Sequence, residues 1–116
     1  MQVKRIIANI CTEDPTLADR FYRDILGLEL AMDHGWIRTY ASLSHMTVQV
    51  SVAQEGGSGS DVPDLSVEAD DLEEALRRVK AAGIPLVYGP TSEPWDLRRF
   101  YVRDPFGRLV NILQHA

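Results

Sequence analysis

The chain has 116 residues, 45% of them apolar and 25% charged, the size and balance of one soluble globular domain that builds a core without metal or disulfide staples. Its net charge of -5 supplies no basic face for a phosphate backbone, so no nucleic-acid partner is expected. The single cysteine, Cys11, cannot close an internal disulfide, and no apolar leader or run of about eighteen apolar residues is present; the expectation is a cytoplasmic protein without membrane association, with Cys11 buried as a small hydrophobe.

In chain order, residues 3–10 alternate weakly, Ile6, Ala8 and Ile10 against Arg5, Ile7 and Asn9, which predicts a strand with one apolar face. Asp14-Pro15 then supplies an N-cap and a first-turn proline, and Leu17, Ala18, Phe21 and Ile25 recur at helical spacing until Gly27, predicting an amphipathic helix. Strands follow over 28–32 and 36–41, joined by a tight turn at Asp33-His34-Gly35, and over 45–53, where Met46, Val48, Val50 and Val52 oppose His45, Thr47, Gln49 and Ser51. Residues 54–62, with Glu55-Gly56-Gly57-Ser58-Gly59-Ser60, form the one linker-like stretch.

The pattern then repeats. Residues 63–69 alternate as a strand; Asp70 and Glu73 have capping-box spacing; Leu72, Ala75, Leu76 and Val79 form a helical stripe that Gly83 and Pro85 close. Further strands are predicted over 86–88, 98–103 and 109–113, the last two flanking Asp104-Pro105-Phe106-Gly107, a type I turn signature. An offset of 57 lays Ile7 on Asp64, Asn9 on Ser66, Ala18 on Ala75 and Arg20 on Arg77. The predicted fold is α+β: two paired βαβββ modules, 3–53 and 63–114, forming a curved mixed sheet around a central cavity. One helix per module leaves a sheet face bare, and its polar alternates Asn9, Thr47, Gln49, Ser66, Glu68 and Asn111 suit a hydrated pocket rather than a dry core.

The segments Arg20-Phe21-Tyr22-Arg23-Asp24-Ile25-Leu26-Gly27-Leu28 and Arg103-Asp104-Pro105-Phe106-Gly107-Arg108-Leu109-Val110-Asn111, set in paired modules, resemble the vicinal oxygen chelate superfamily of glyoxalases, extradiol dioxygenases and bleomycin resistance proteins. The resemblance covers residues 3–113. It implies a divalent ion held by His or Glu from the first and last strand of each module, positions that Ile7, Gln49, Asp64 and Asn111 occupy here. Only Asp64 is an anionic donor, and Ile7 cannot coordinate. The resemblance therefore points to the metal-free, bleomycin resistance-like branch, with no cofactor.

His34, His45 and His115 show no metal-ligand spacing and read as surface residues, except that His45 shares the wet face of Thr47 and Gln49 and is placed to act as a base. Pro94-Trp95 with Arg98-Arg99-Phe100 resembles the aromatic ligand-stacking segment of the resistance proteins. Trp36 and Trp95 are the largest π-surfaces; Asp64 and Glu68 supply negative charge for a cation, and Arg38 and Arg99 suit a carboxylate. The expected function is sequestration of an aromatic or cationic small molecule by a homodimer. The alternatives are a metal-dependent lyase, isomerase or dioxygenase using non-standard ligands such as His45, Asp64 and Glu68, and a pure dimerisation module whose pocket Trp36 or Tyr40 fills.

Overall fold

The structure, a computed structural model, describes residues 1–46 and 49–116. The chain divides into two compact units, Met1–Ala53 and Gln54–Ala116.

In the first unit the Asp14 carboxylate accepts the Thr16 amide at 3.1 Å and starts a 3-10 turn, Pro15–Ala18, as a capping side chain ahead of proline should. A π-helical turn, Asp19–Arg23, follows directly, its widened pitch recorded by the Asp24 amide donating to the Asp19 carbonyl five residues back at 2.9 Å. Of the predicted stripe Ala18, Phe21 and Ile25 are buried and Leu17 is half-buried, with Tyr22 buried beside them, and Gly27 ends the segment with φ 70°, a conformation glycine adopts without a Cβ penalty. Start, stop and apolar face are where the sequence placed them; the α-helical pitch is not.

Strands β1 (Glu29–Asp33) and β2 (Arg38–Ala41) pair antiparallel. Their turn is held by the Asp33 carboxylate accepting the Gly35 amide at 2.9 Å. Asp19 ties the helical segment to this ribbon: Arg38 donates to both of its carboxylate oxygens at 3.1 Å, Arg23 reaches it at 3.1 Å, and the Tyr40 hydroxyl donates to it as well. Arg38 also pairs with Asp33 at 3.3 Å.

Two predicted strands of this unit are corrected. Residues 3–10 join no ladder, and Ile6 and Ile7 are 55% and 49% exposed, so neither side of the alternation is buried and the periodicity has nothing to lie on. Residues 45, 46 and 49–53 likewise carry no strand, while Thr47 and Val48 lie outside the described residues. Instead of one curved sheet there are two among the described residues, of two and four strands, neither closed. Cys11, expected inside, is exposed.

The second unit runs β3 (Leu65–Glu68), α1 (Leu72–Ala81), β4 (Tyr88–Glu93), β5 (Leu97–Arg103) and β6 (Leu109–His115). Spatial order is β3-β6-β5-β4, with β3 parallel to β6 and the other pairs antiparallel. The cap of α1 is Asp71, accepting the Glu74 amide at 3.1 Å, one residue beyond the predicted Asp70. The reason is tertiary: Gln114 on β6 donates to the Asp70 carbonyl and accepts the Leu72 amide, both at 2.9 Å. Strand β4 extends well past the predicted 86–88, through Gly89-Pro90, where the register with β5 slips. Gly89 has φ 75°, and a Cβ there would stand 2.7 Å from the Arg99 carbonyl, so only glycine lets β4 approach β5 so closely. The turn after β5 closes as predicted, the Asp104 carboxylate accepting the amides of Phe106 and Arg108 at 2.9 and 2.8 Å.

Pairing of Phe100 with Ile112 and Val102 with Val110 puts four fully buried side chains on one face. Arg98 and Gln114, of the same parity, touch α1 through Glu73 and Leu72, so this is the face that α1 covers with Leu72, Leu76 and Val79. Each such burial contributes roughly 1.5 to 3 kcal/mol. The opposite parity carries Tyr88, Arg99, Tyr101, Ser66 and Asn111. Among the described residues no helix is long and apolar enough to cross a membrane.

Two outcomes follow from this packing. Ile112→Ala is expected to lower the unfolding free energy by about 2 to 5 kcal/mol in a denaturant titration, through lost burial and the cavity left behind. The hydroxyl of Tyr40, with Arg38 and Arg23, holds the Asp19 carboxyl below its ordinary range; a depressed carboxyl contributes stability above its unfolded value that is lost as pH falls through the folded one. Wild-type protein should therefore lose more stability than Asp19→Asn on acidification from about pH 4 downward, and parallel acid melts of the two would contradict the assignment.

Candidate functional site

The face of the four-stranded sheet opposite α1 is organised around Arg99, which is only 4% exposed. Strand alternation aims Arg99 and Tyr101 of β5 to the same side, and the hairpin between β4 and β5, turning through Pro94, Trp95 and Asp96, brings the indole back over the guanidinium. Asp96 takes φ 63° at the tip of that turn. The guanidinium carbon lies 5.1 Å from the Tyr101 ring centroid, 5.3 Å from Trp95 and 5.4 Å from Tyr88, all within cation–π range. Its counter-charge is Glu93, buried at the end of β4 with an oxygen 3.7 Å from Arg99.

Both oxygens of Glu93 are engaged by hydroxyls, Ser58 donating at 2.5 Å and Tyr88 at 2.6 Å. These bonds, Ser58 first and Tyr88 next, with the Arg99 charge adding, hold the Glu93 carboxyl below its ordinary range against the opposing effect of burial. The glycine-rich segment is no open linker here. It folds onto the face as a strap, closed on itself by the Gly56 amide donating to the Ser60 carbonyl at 2.8 Å and the Ser60 amide to the Gly57 carbonyl at 3.0 Å. Arg99 donates to the Gly57 carbonyl at 3.3 Å and to the Tyr101 hydroxyl at 3.0 Å. Beside the strap lies a hollow of about 210 Å³ whose lining includes Ser60, Asp61, Val87, Tyr88, Tyr101 and Leu109. A larger, open cleft of about 520 Å³ runs between the start of α1 and the β4–β5 hairpin, where Arg98 and Glu73 form an ion pair.

Of the residues singled out in the sequence, Trp95 and Arg99 are in contact, and Asn111 lies on the same face, paired in register with Tyr101. Asn111 is buried; its amide nitrogen donates to Ser66 at 3.1 Å while its oxygen has no partner. Asp64 serves the backbone, its carboxylate accepting the Leu109 amide at 2.9 Å where β3 meets β6. Glu68 pairs with His115 at 2.7 Å at the exposed end of the sheet. In the first unit Arg38 is taken up by Asp19 and Asp33, and Trp36 is 78% exposed beside the ribbon's turn. Asn9, His45 and Gln49 are exposed outside any helix or strand. Glu93, Tyr88, Tyr101 and the strap were missed. The shared parity of Arg99 and Tyr101 was a signal for Tyr101; nothing local in the sequence pairs Ser58 with Glu93.

The donor set does not suit a catalytic divalent ion. Among the described residues no three His, Cys, Asp or Glu side chains converge, Asp64 is committed to a backbone amide, Glu68 to His115, and Ile7 offers no donor atom. What the face offers instead is stacking area, a buried cation with its counter-ion, and an orphaned amide oxygen.

Several solved structures share this fold at low sequence identity. TioX from Micromonospora sp. ML1 superposes with a TM-score of 0.65 at 21% identity, over 97% of each chain. TnmS3, an antibiotic binding protein from Streptomyces sp. CB03234, gives 0.64 at 21% identity over 90% of this chain and 88% of its own. Lactoylglutathione lyase from Agrobacterium tumefaciens gives 0.59 at 21% identity over 88% and 86%. No curated protein sequence matches the chain. The pattern of one family matches residues 5–112, nearly the whole length, and on that match the chain belongs to the glyoxalase/bleomycin resistance protein/dioxygenase superfamily.

Proposed function

We propose that this protein is a non-catalytic binder, sequestering an aromatic or cationic small molecule in the cytoplasm without a catalytic metal. The observation that carries the reading is the aromatic enclosure of Arg99 by Tyr88, Trp95 and Tyr101 on the sheet face opposite α1. Such a face provides stacking area for a flat molecule, and the likeness to an antibiotic binding protein agrees with it. The donor set described above argues against a metal-dependent lyase, isomerase or dioxygenase, including one built on His45, Asp64 and Glu68.

The functional unit in this proposal is a homodimer of single-domain chains, with 3–53 and 63–114 as paired modules and 54–62 connecting them. Its support is the first unit's apolar exposure: Leu30 and Met32 on β1, Ile6, Ile7 and Trp36 stand at 36% to 78%, and a lone two-stranded ribbon needs a covering surface to be stable. The dimer predicts a mass of two chains in equilibrium sedimentation; a monomer at all accessible concentrations would contradict it.

Binding is tested by a thermal-shift screen of small aromatic and cationic compounds, followed by Trp95→Ala and Asn111→Ala. Trp95 is 45% exposed, so its loss should weaken binding about five- to tenfold while the melting temperature changes little. Asn111→Ala removes one hydrogen bond and should cost about 1 kcal/mol of stability with a larger loss of affinity. Unfolding of both variants in step with lost binding would make both residues structural. A stoichiometric divalent ion retained through chelator-free purification, raising the melting temperature, would overturn the metal-free reading.

A further inference from the structure

Arg99 is enclosed more completely than its hydrogen bonding satisfies. Its Nε is buried without a partner, and its remaining donors go to the Tyr101 hydroxyl at 3.0 Å, the Gly57 carbonyl at 3.3 Å and the Ser60 hydroxyl at 3.5 Å. Every one of these acceptors is uncharged. The charge is balanced separately by Glu93, whose oxygens are already bonded to Ser58 and Tyr88.

The strap supplies two of the three acceptors and also receives the Tyr101 hydroxyl on its Gly56 carbonyl at 3.3 Å. Gly57 lies so close to the indole that a Cβ would come within 2.7 Å of the Trp95 ring. A small, uncharged backbone unit thus lies close against the Trp95 ring and presents its carbonyl to Arg99. The adjoining hollow of about 210 Å³ gives the strap, or a molecule replacing it, room on the Tyr88 side.

We infer that the strap at residues 56–60 is an internal stand-in for the ligand, and that the site beneath it takes an uncharged planar aromatic ring bearing a carbonyl acceptor. This rests on the binding function proposed above and narrows it. The ring replaces Gly57 on Trp95, and the carbonyl replaces the Gly57 carbonyl on the guanidinium. A cationic ligand meets the Arg99 charge at the centre of the site. A carboxylate meets Glu93, which already neutralises that charge. The strap competes with the ligand, so loosening the strap strengthens binding.

The test titrates the full-length protein by calorimetry with three probes sharing one ring system: naphthalene-2-carboxamide, naphthalene-2-carboxylate and 2-naphthylmethylammonium. The carboxamide is expected to bind about tenfold or more tighter than either charged probe. Ser60→Ala, which removes the hydroxyl that pins the strap to Arg99 and Tyr101, and Ser58→Ala, which frees it from Glu93, should each tighten carboxamide binding about three- to tenfold. An ammonium or carboxylate probe binding as well as the carboxamide overturns the inference while the binding function stands. Unchanged or weaker carboxamide binding in both serine variants does the same. No heat from any probe, with wild type or variants, overturns the inference and the binding function together.

Discussion

A guanidinium taken out of water needs a counter-charge, acceptors for its donors and a surface for its planar faces, and much of the second unit is arranged to meet those needs for Arg99. Glu93 supplies the charge, Tyr101 and the strap supply acceptors, and three aromatic rings supply the faces. The demand propagates outward. Glu93 must be buried to reach Arg99, so it recruits Ser58 and Tyr88 to satisfy its own oxygens, and Ser58 brings the glycine-rich segment with it. Gly56 and Gly57 make that approach possible, since a Cβ on either would collide with Tyr101 or Trp95.

The same chain solves a similar problem differently in its first unit. There Asp19, rather than an arginine, is the shared partner, gathering Arg23, Arg38 and Tyr40 across the helical turn and the ribbon. That cluster is partly solvated and polar throughout, and its role is to hold two elements together. The Arg99 cluster is aromatic and leaves the buried Arg99 Nε unpaired, as the Asn111 Oδ1 is on the same face. Incomplete satisfaction inside an aromatic enclosure, rather than charge as such, is what distinguishes the Arg99 cluster from the Asp19 cluster.

Much of the second unit was legible because its signals are local. Leu72, Ala75, Leu76 and Val79 at helical spacing, Gly83 after them, and the Asp104-Pro105-Phe106-Gly107 turn each act within a few residues, and each element formed where those signals stood. Errors arose where a distant group intervened: Gln114 moved the cap of α1 from Asp70 to Asp71, and Gly89, lying against Arg99, let β4 continue through a dipeptide that otherwise punctuates a strand. Residues 3–10 show the reverse case, an alternation with no ladder to join.

The candidate site divides along the same line. Trp95 and Arg99 were visible from the sequence because aromatic and cationic side chains close together in a hairpin are read from spacing alone. Glu93, Tyr88 and the strap were not visible, since Ser58 and Glu93 lie 35 residues apart and only folding makes them neighbours. By itself the sequence determined the apolar stripe of α1, the first helical segment's start and stop and the Asp104-Pro105-Phe106-Gly107 turn, because backbone sterics and side-chain periodicity act over a few bonds. The tertiary structure alone decided which polar groups share a dry enclosure, because the cost of burying a charge is set by everything around it and not by its neighbours in the chain.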